Sequence, residues 1–138
     1  MRLYDIRGKL IWKNCSDYLI DWDKKSRSKL QLQVKQFFRP FWEKHLCYEE
    51  FPVFGTRLKV DFLNITKALA IEVQGCQHTE FNKFFHKYPI NYYQSLKRDE
   101  RKSNWLKMNK FQLIELTEDD LPQLSEEYFL KTFGVYLV

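Results

Sequence analysis

Two stretches in the middle of the chain alternate between apolar and polar residues. In Arg57–Leu63 the residues Leu58, Val60 and Phe62 share one side, and in Ala68–Gln74 the residues Leu69, Ile71 and Val73 do. That period of two predicts a pair of half-buried strands. Between them Asn64-Ile65-Thr66-Lys67 is polar and short enough to close a hairpin. If Val60 lies beside Val73 and Phe62 beside Ile71, the opposite face collects Lys59 and Asp61 from one strand and Ala70, Glu72 and Gln74 from the other. One hairpin then presents two carboxylates and an amide together.

The flanking segments carry other periods. Ser28 is placed to cap a helix starting at Lys29, with Leu30, Val34, Phe37, Phe38 and Phe41 as its buried stripe and Gln31 and Lys35 on the flank. Pro40 is expected to kink or end that helix. Leu46–Val53 reads as a strand whose Pro52 marks an edge, and that favours Glu49 and Glu50 as charges that discourage sheet-to-sheet association over acids that reach a metal. Tyr4–Trp12 turns at Arg7-Gly8-Lys9 and reads as a small hairpin. Tyr18–Asp23 is a short apolar run before a basic break at residues 24–28, either a solvated loop or a phosphate contact. The spacing of Tyr92, Leu96, Asp99, Ser103 and Leu106 predicts a helix over 91–109, followed by a strand at Phe111–Leu116. Ser125-Glu126-Glu127 begins a last helix through Phe133. Residues 79–90 mix aromatics with Lys and His without a clean period; base stacking and satellite core fit them equally.

Composition narrows the class. With 138 residues, 12 Phe, 8 Tyr and 4 Trp against four Gly and four Pro, the chain is a globular domain of ordinary size. It has no run of 18 apolar residues and no signal-peptide core at Met1–Asp5, so a protein staying in the cytoplasm is expected. Cys15, Cys47 and Cys76 are too widely spaced for a disulfide framework or a CxxC zinc knuckle. Zinc at Cys76 and His78 lacks further ligands at the right spacing, and a thiol nucleophile at Cys76 could not align with His78 on one tight turn. The net charge of +5 suits a polyanionic partner.

Two carboxylates held together on a sheet repel unless a cation lies between them, and a hard ion with oxygen ligands such as Mg²⁺ answers that need. The rival is a solvated hairpin face with two ordinary surface acids. The second strand runs on into Gly75-Cys76-Gln77-His78, a glycine turn carrying a histidine that could act as general acid, metal-water partner or phosphate donor.

Asp61, ten intervening residues and Glu72-x-Gln74, followed by the Gly-x-x-His turn and a basic helix, resemble the PD-(D/E)XK nuclease superfamily. Within it the similarity is to the very-short-patch-repair-like branch of small bacterial and phage endonucleases, over roughly residues 28–116. Val60 stands where the family name has Pro, and Gln74 where the superfamily usually has Lys; some restriction enzymes of this fold carry Gln there. The resemblance implies a metal held by Asp61, Glu72 and the Val73 carbonyl, with Gln74 orienting the attacking water. It also implies an acidic ligand from the preceding helix, where this chain offers Gln31. Lys97, Arg98, Arg101 and Lys102 on the 91–109 helix are the leading phosphate contacts, extended by Lys29 and Lys35 on the first helix.

The resulting expectation is an α/β (α+β) chain with a restriction-endonuclease-like core: a central mixed sheet with its catalytic hairpin, flanked by helices. It forms one domain over 1–138, with the core at 28–116, an N-terminal extension at 1–27 and a helical tail at 117–138. The activity expected is Mg²⁺-dependent hydrolysis of DNA phosphodiesters, Mn²⁺ substituting, in the cytoplasm of a bacterial or phage-infected cell. The catalytic set is Asp61, Glu72, Gln74 and His78. RNA is the alternative substrate, no membrane is involved, and a homodimer is one open assembly state. The rival functions are a catalytically weakened DNA-binding member of the same fold and a non-enzymatic protein-interaction domain.

Overall fold

The alternating segments assemble a four-stranded sheet in the order β3-β4-β5-β6. Its strands are β3 (Cys47–Pro52), β4 (Lys59–Asn64), β5 (Leu69–Gln74) and β6 (Gln112–Thr117). The structure is a computed structural model and describes residues 1–75 and 100–138. The pairs β3–β4 and β4–β5 are antiparallel and β5–β6 is parallel, which makes the sheet mixed. A separate hairpin joins β1 (Arg2–Tyr4) to β2 (Leu10–Trp12). The helices are α1 (Lys29–Trp42), α2 at residues 100–108, and α3 (Glu126–Phe133). The expected α+β architecture is therefore present. Cys76, His78, Lys97, Arg98, the 79–90 segment and the first half of the 91–109 helix lie outside the described residues.

Strand alternation divides the apolar side chains between two layers. Cys47, Phe62, Leu69, Ile71, Ile114 and Leu116 pack with Val34, Phe38 and Trp42 of α1 and Phe129 of α3. Tyr48, Leu63 and Ala70 pack with Trp105 and Leu106 of α2 and with Leu3 of the small hairpin. The sheet thus carries α1 and α3 on one face and α2 with the N-terminal hairpin on the other. Trp42 closes the first layer: its ring stacks on Phe38 at 3.9 Å, and its Nε1–H donates to the Leu137 carbonyl at 3.0 Å.

Both N-caps form as expected, Ser28 Oγ accepting from the Gln31 N–H and Ser125 Oγ from the Tyr128 N–H. Two expectations need correction. Helix α1 continues two residues past Pro40; the carbonyl that Pro40 leaves without a donor belongs to Gln36, which is exposed and open to water. The buried stripe of α1 is Gln31, Val34, Lys35, Phe38 and Trp42, rotated from the apolar stripe, with Phe37 and Phe41 only partly buried. Gln31 and Lys35 are thus inside, not on a flank. Residues 16–18 form a short 3-10 turn, and only Leu19 bridges to Tyr48.

The expected Phe62–Ile71 pairing is observed, but Val60 does not lie beside Val73. Val60 instead packs in the α2-side layer with Phe51. Alternation breaks at the same level in both strands: between Phe62 and Val60 in β4, and at Glu50 in β3, whose φ of 54° is left-handed. Cys47 faces α1 and Tyr48 faces α2, yet Phe51 also faces α2, where simple alternation would return it to α1. The register is unchanged across the break, Glu49 pairing with Phe62 and Phe51 with Val60.

Candidate functional site

The β4–β5 ladder stops at Phe62–Ile71, although β4 extends back to Lys59 and β5 on to Gln74. Beyond that level the strands fork, and two carboxylates take the place of backbone partners. The Asp61 N–H donates to Glu72 Oε2 at 3.0 Å, and the Val73 N–H donates to Asp61 Oδ2 at 2.8 Å. Glu72 is buried and Asp61 half-buried. By alternation Glu72 shares a face with Ala70, so it looks toward α2, where Lys102 Nζ donates to Glu72 Oε1. Gln74 lies one step further along the same face, half-buried and paired in register with Thr117.

The electrostatics of the fork are unbalanced. Burial, and then the neighbouring Glu72 charge, push Asp61 up from 3.8 to about 8, while the Val73 N–H and Lys102 act in the opposite direction. Among the described residues the two acids share one ammonium, that of Lys102. The donors are hard oxygens, which suits Mg²⁺ or Mn²⁺. Among the described residues no group of three or more His, Cys, Asp or Glu side chains could hold a metal. Among the described side chains, an ion in the fork would rest on Asp61 and Glu72.

Several predicted site residues stand elsewhere. Gln31, expected as a metal ligand, is buried and directs its Nε2 at Glu49 Oε2 (2.9 Å) and Glu50 Oε1 (3.0 Å). Lys35, expected among the phosphate contacts, is 1% exposed and donates to Glu49 Oε1 at 2.8 Å and the Lys24 carbonyl at 2.9 Å. Lys102, expected among the leading phosphate contacts, turns inward to Glu72. Arg101 and Lys29 are exposed as expected.

Glu49 and Glu50 read from the sequence as edge charges in preference to metal ligands, yet they anchor a half-buried polar cluster. Neighbouring strand residues normally point to opposite faces, so both can reach one amide only because the left-handed turn at Glu50 breaks the alternation. The sequence signal for this cluster is the four-residue spacing of Gln31 and Lys35 inside an otherwise apolar helix face. Cys15 and Cys47 are buried and unbridged, and burial pushes the Cys47 thiol up to about 12, where it is no nucleophile.

No family model and no solved structure matches the chain. It is similar to uncharacterized protein 033L of Invertebrate iridescent virus 3, 34% identical over 77 residues. Those residues make up 56% of this chain, and the chain spans about 40% of that relative's length. Among the described residues no helix is long and apolar enough to cross a membrane.

Proposed function

We propose that the chain is a metal-dependent nuclease that hydrolyses DNA phosphodiesters at the Asp61–Glu72 fork. One observation carries this reading: two carboxylates, Glu72 buried and Asp61 half-buried, meet where the β4–β5 ladder opens, with Lys102 on the Glu72 carboxylate. Such a pair opposes folding unless it serves a cation. Asp61, Glu72 and the Val73 carbonyl would hold Mg²⁺ or Mn²⁺. The bound ion supplies a water ionised near neutral pH and positive charge for the departing oxygen.

The chain's own groups have separate tasks. Asp61 holds a proton at neutral pH and must release it to ligate, so ion uptake should release a proton. Lys102 fixes the Glu72 carboxylate and adds positive charge beside the fork. The Gln74 amide, on the Glu72 face, can accept from and donate to a water without carrying charge. His78 would protonate the leaving oxygen or bind phosphate. Arg101, with Lys97 and Arg98, would face the backbone of the nucleic acid.

The test is to incubate purified protein with duplex, branched and single-stranded DNA and with RNA, each with Mg²⁺ or Mn²⁺, beside the Asp61→Asn and Glu72→Gln variants. Metal-dependent cutting that both variants lose is the expected result. Metal binding at the fork without cutting of any substrate would assign a DNA-binding relative of such enzymes. Absence of metal binding would refute the site.

A further inference from the structure

The cluster around Glu49 holds something in place. Residues 24–29 read Lys-Lys-Ser-Arg-Ser-Lys, four cations in six positions with no acid among them. Lys24, Lys25, Arg27 and Lys29 are exposed. Their backbone is pinned from below: Lys35 Nζ takes the Lys24 carbonyl, Ser26 Oγ donates to Glu49 Oε2 at 2.6 Å, and Ser28 caps α1. On the upstream side Arg39 binds the Trp22 carbonyl at 3.3 Å and Asp23 at 2.9 Å, which occupies that acid. Arg27 lies 3.9 Å from Glu50 with its side chain 77% exposed. No carboxylate among the described residues pairs with Lys24, Lys25 or Lys29.

A buried lysine at position 35 is a costly way to stabilise a helix face. An apolar side chain of similar volume there is often as stable or more so, and buried ion pairs are better explained by the conformation they select. The conformation selected here is that of the basic loop. The left-handed Glu50 belongs to the same device, because it brings a second carboxylate to Gln31 and Arg27.

The loop's position is fixed by register. Glu50 lies between Glu49, which pairs with Phe62, and Phe51, which pairs with Val60, and is therefore level with Asp61 one strand away. Adjacent strands are about 4.8 Å apart. The anchored cations thus lie at the strand level of Asp61, held on the α1 side of the sheet, while Glu72 and Lys102 stand on the α2 side.

We infer that residues 24–29 form a pre-positioned surface for nucleic-acid backbone phosphates, held at the strand level of Asp61 by the Lys35–Glu49–Gln31 cluster. This rests on the nuclease reading for its substrate class. Cations whose backbone is already ordered lose less freedom on binding than a mobile basic tail would. The loop contributes affinity, and Lys35 and Glu49 act as positioning residues.

The experiment uses the full chain in EDTA, so that binding is read without cutting. Anisotropy of a fluorescent duplex is titrated at several salt concentrations for the parent, the quadruple alanine variant of Lys24, Lys25, Arg27 and Lys29, Lys35→Met and Glu49→Gln. Each lost phosphate contact lowers the slope of log affinity against log salt by about 0.9, and the quadruple variant is expected to lose about two to three such contacts. Lys35→Met or Glu49→Gln should keep the slope and lower affinity about tenfold, the cost of ordering the loop at binding. A purely structural role would change the unfolding midpoint and leave affinity alone, and Glu49→Gln serves if Lys35→Met does not fold. An unchanged slope in the quadruple variant overturns the inference, and cutting by the parent would leave the nuclease reading intact. A lowered slope in a protein that cuts nothing with Mn²⁺ supports the inference and overturns the reading. A parent that neither binds nor cuts overturns both.

Discussion

Replacing Asp61 by Asn tests the fork without any substrate. The amide keeps the shape of a protonated carboxyl: its oxygen can accept from the Val73 N–H and its nitrogen can donate to Glu72. The substitution removes only the ability to ionise. An Asp pushed up to about 8 holds its proton more tightly when folded than when unfolded, where it titrates near 3.8. Its favourable contribution is therefore complete below about pH 4 and is lost as the pH rises through 8. The folded and unfolded values stand about four pH units apart, and at about 1.4 kcal/mol for each this sets a ceiling of about 5 to 6 kcal/mol. Water reaching the half-exposed end of the fork at Gln74 and Gly75 reduces this, and about 2 to 4 kcal/mol is expected. Urea unfolding in EDTA, followed by the fluorescence of buried Trp42 and Trp105, measures it directly. The variant and parent should be nearly equal at about pH 3, and the variant more stable by that amount at about pH 9. Millimolar Mn²⁺ at pH 8 should then stabilise the parent and not the variant. A stability difference independent of pH, or a parent that gains over the variant as pH rises, would refute a buried, unneutralised carboxylate at position 61.

Further outcomes follow from the same geometry. Lys102→Ala should slow turnover about tenfold to a thousandfold while changing duplex affinity little, because this ammonium faces Glu72; steady-state and binding measurements on one preparation check it. Gln74→Leu should cost about ten- to a thousandfold in rate if the amide positions the attacking water, and Gln74→Lys should raise Mg²⁺-supported turnover relative to Mn²⁺. Parallel rates with both metals decide, and parent-like cutting by Gln74→Leu would shift that role to His78. Gly55→Ala should destabilise the protein by about 2 kcal/mol or more, measured by urea midpoint. The reason is a backbone φ of +95° and a new methyl only 2.6 Å from Ile6 Cγ2.

The hairpin was legible because strand alternation is a local code. Leu69, Ile71 and Val73 fix the face of β5, and Glu72 follows on the other side without tertiary information. Ser28 and Ser125 announce their helices for a similar reason, since a cap is made within three residues. What could not be read was the partner of each polar group. Lys102 is one of several cations on its helix in the sequence, and only the approach of α2 to β5 turns it onto Glu72. Gln31 and Lys35 read as flank residues because hydrophobicity alone defines the stripe of α1. Their burial is compensated by Glu49 and Glu50, carried on a strand that pairs with β4 in a register set by its neighbours. The left-handed Glu50 has no sequence cue, because glutamate is not a residue that announces such a backbone.

The parallel pairing of β5 with β6 has a consequence for the order of assembly. β3, β4 and β5 are joined by short turns and can zip together from local contacts, bringing Asp61 and Glu72 side by side early. The strand β6 and the helix that carries Lys102 arrive only after the chain between Gln74 and Gln112 has closed a long loop, which is the entropically slow step. The two acids are thus expected to meet before their lysine does. During refolding, a divalent ion or a lower pH should speed the appearance of the hairpin, and the native charge balance of the fork should be the last feature to mature.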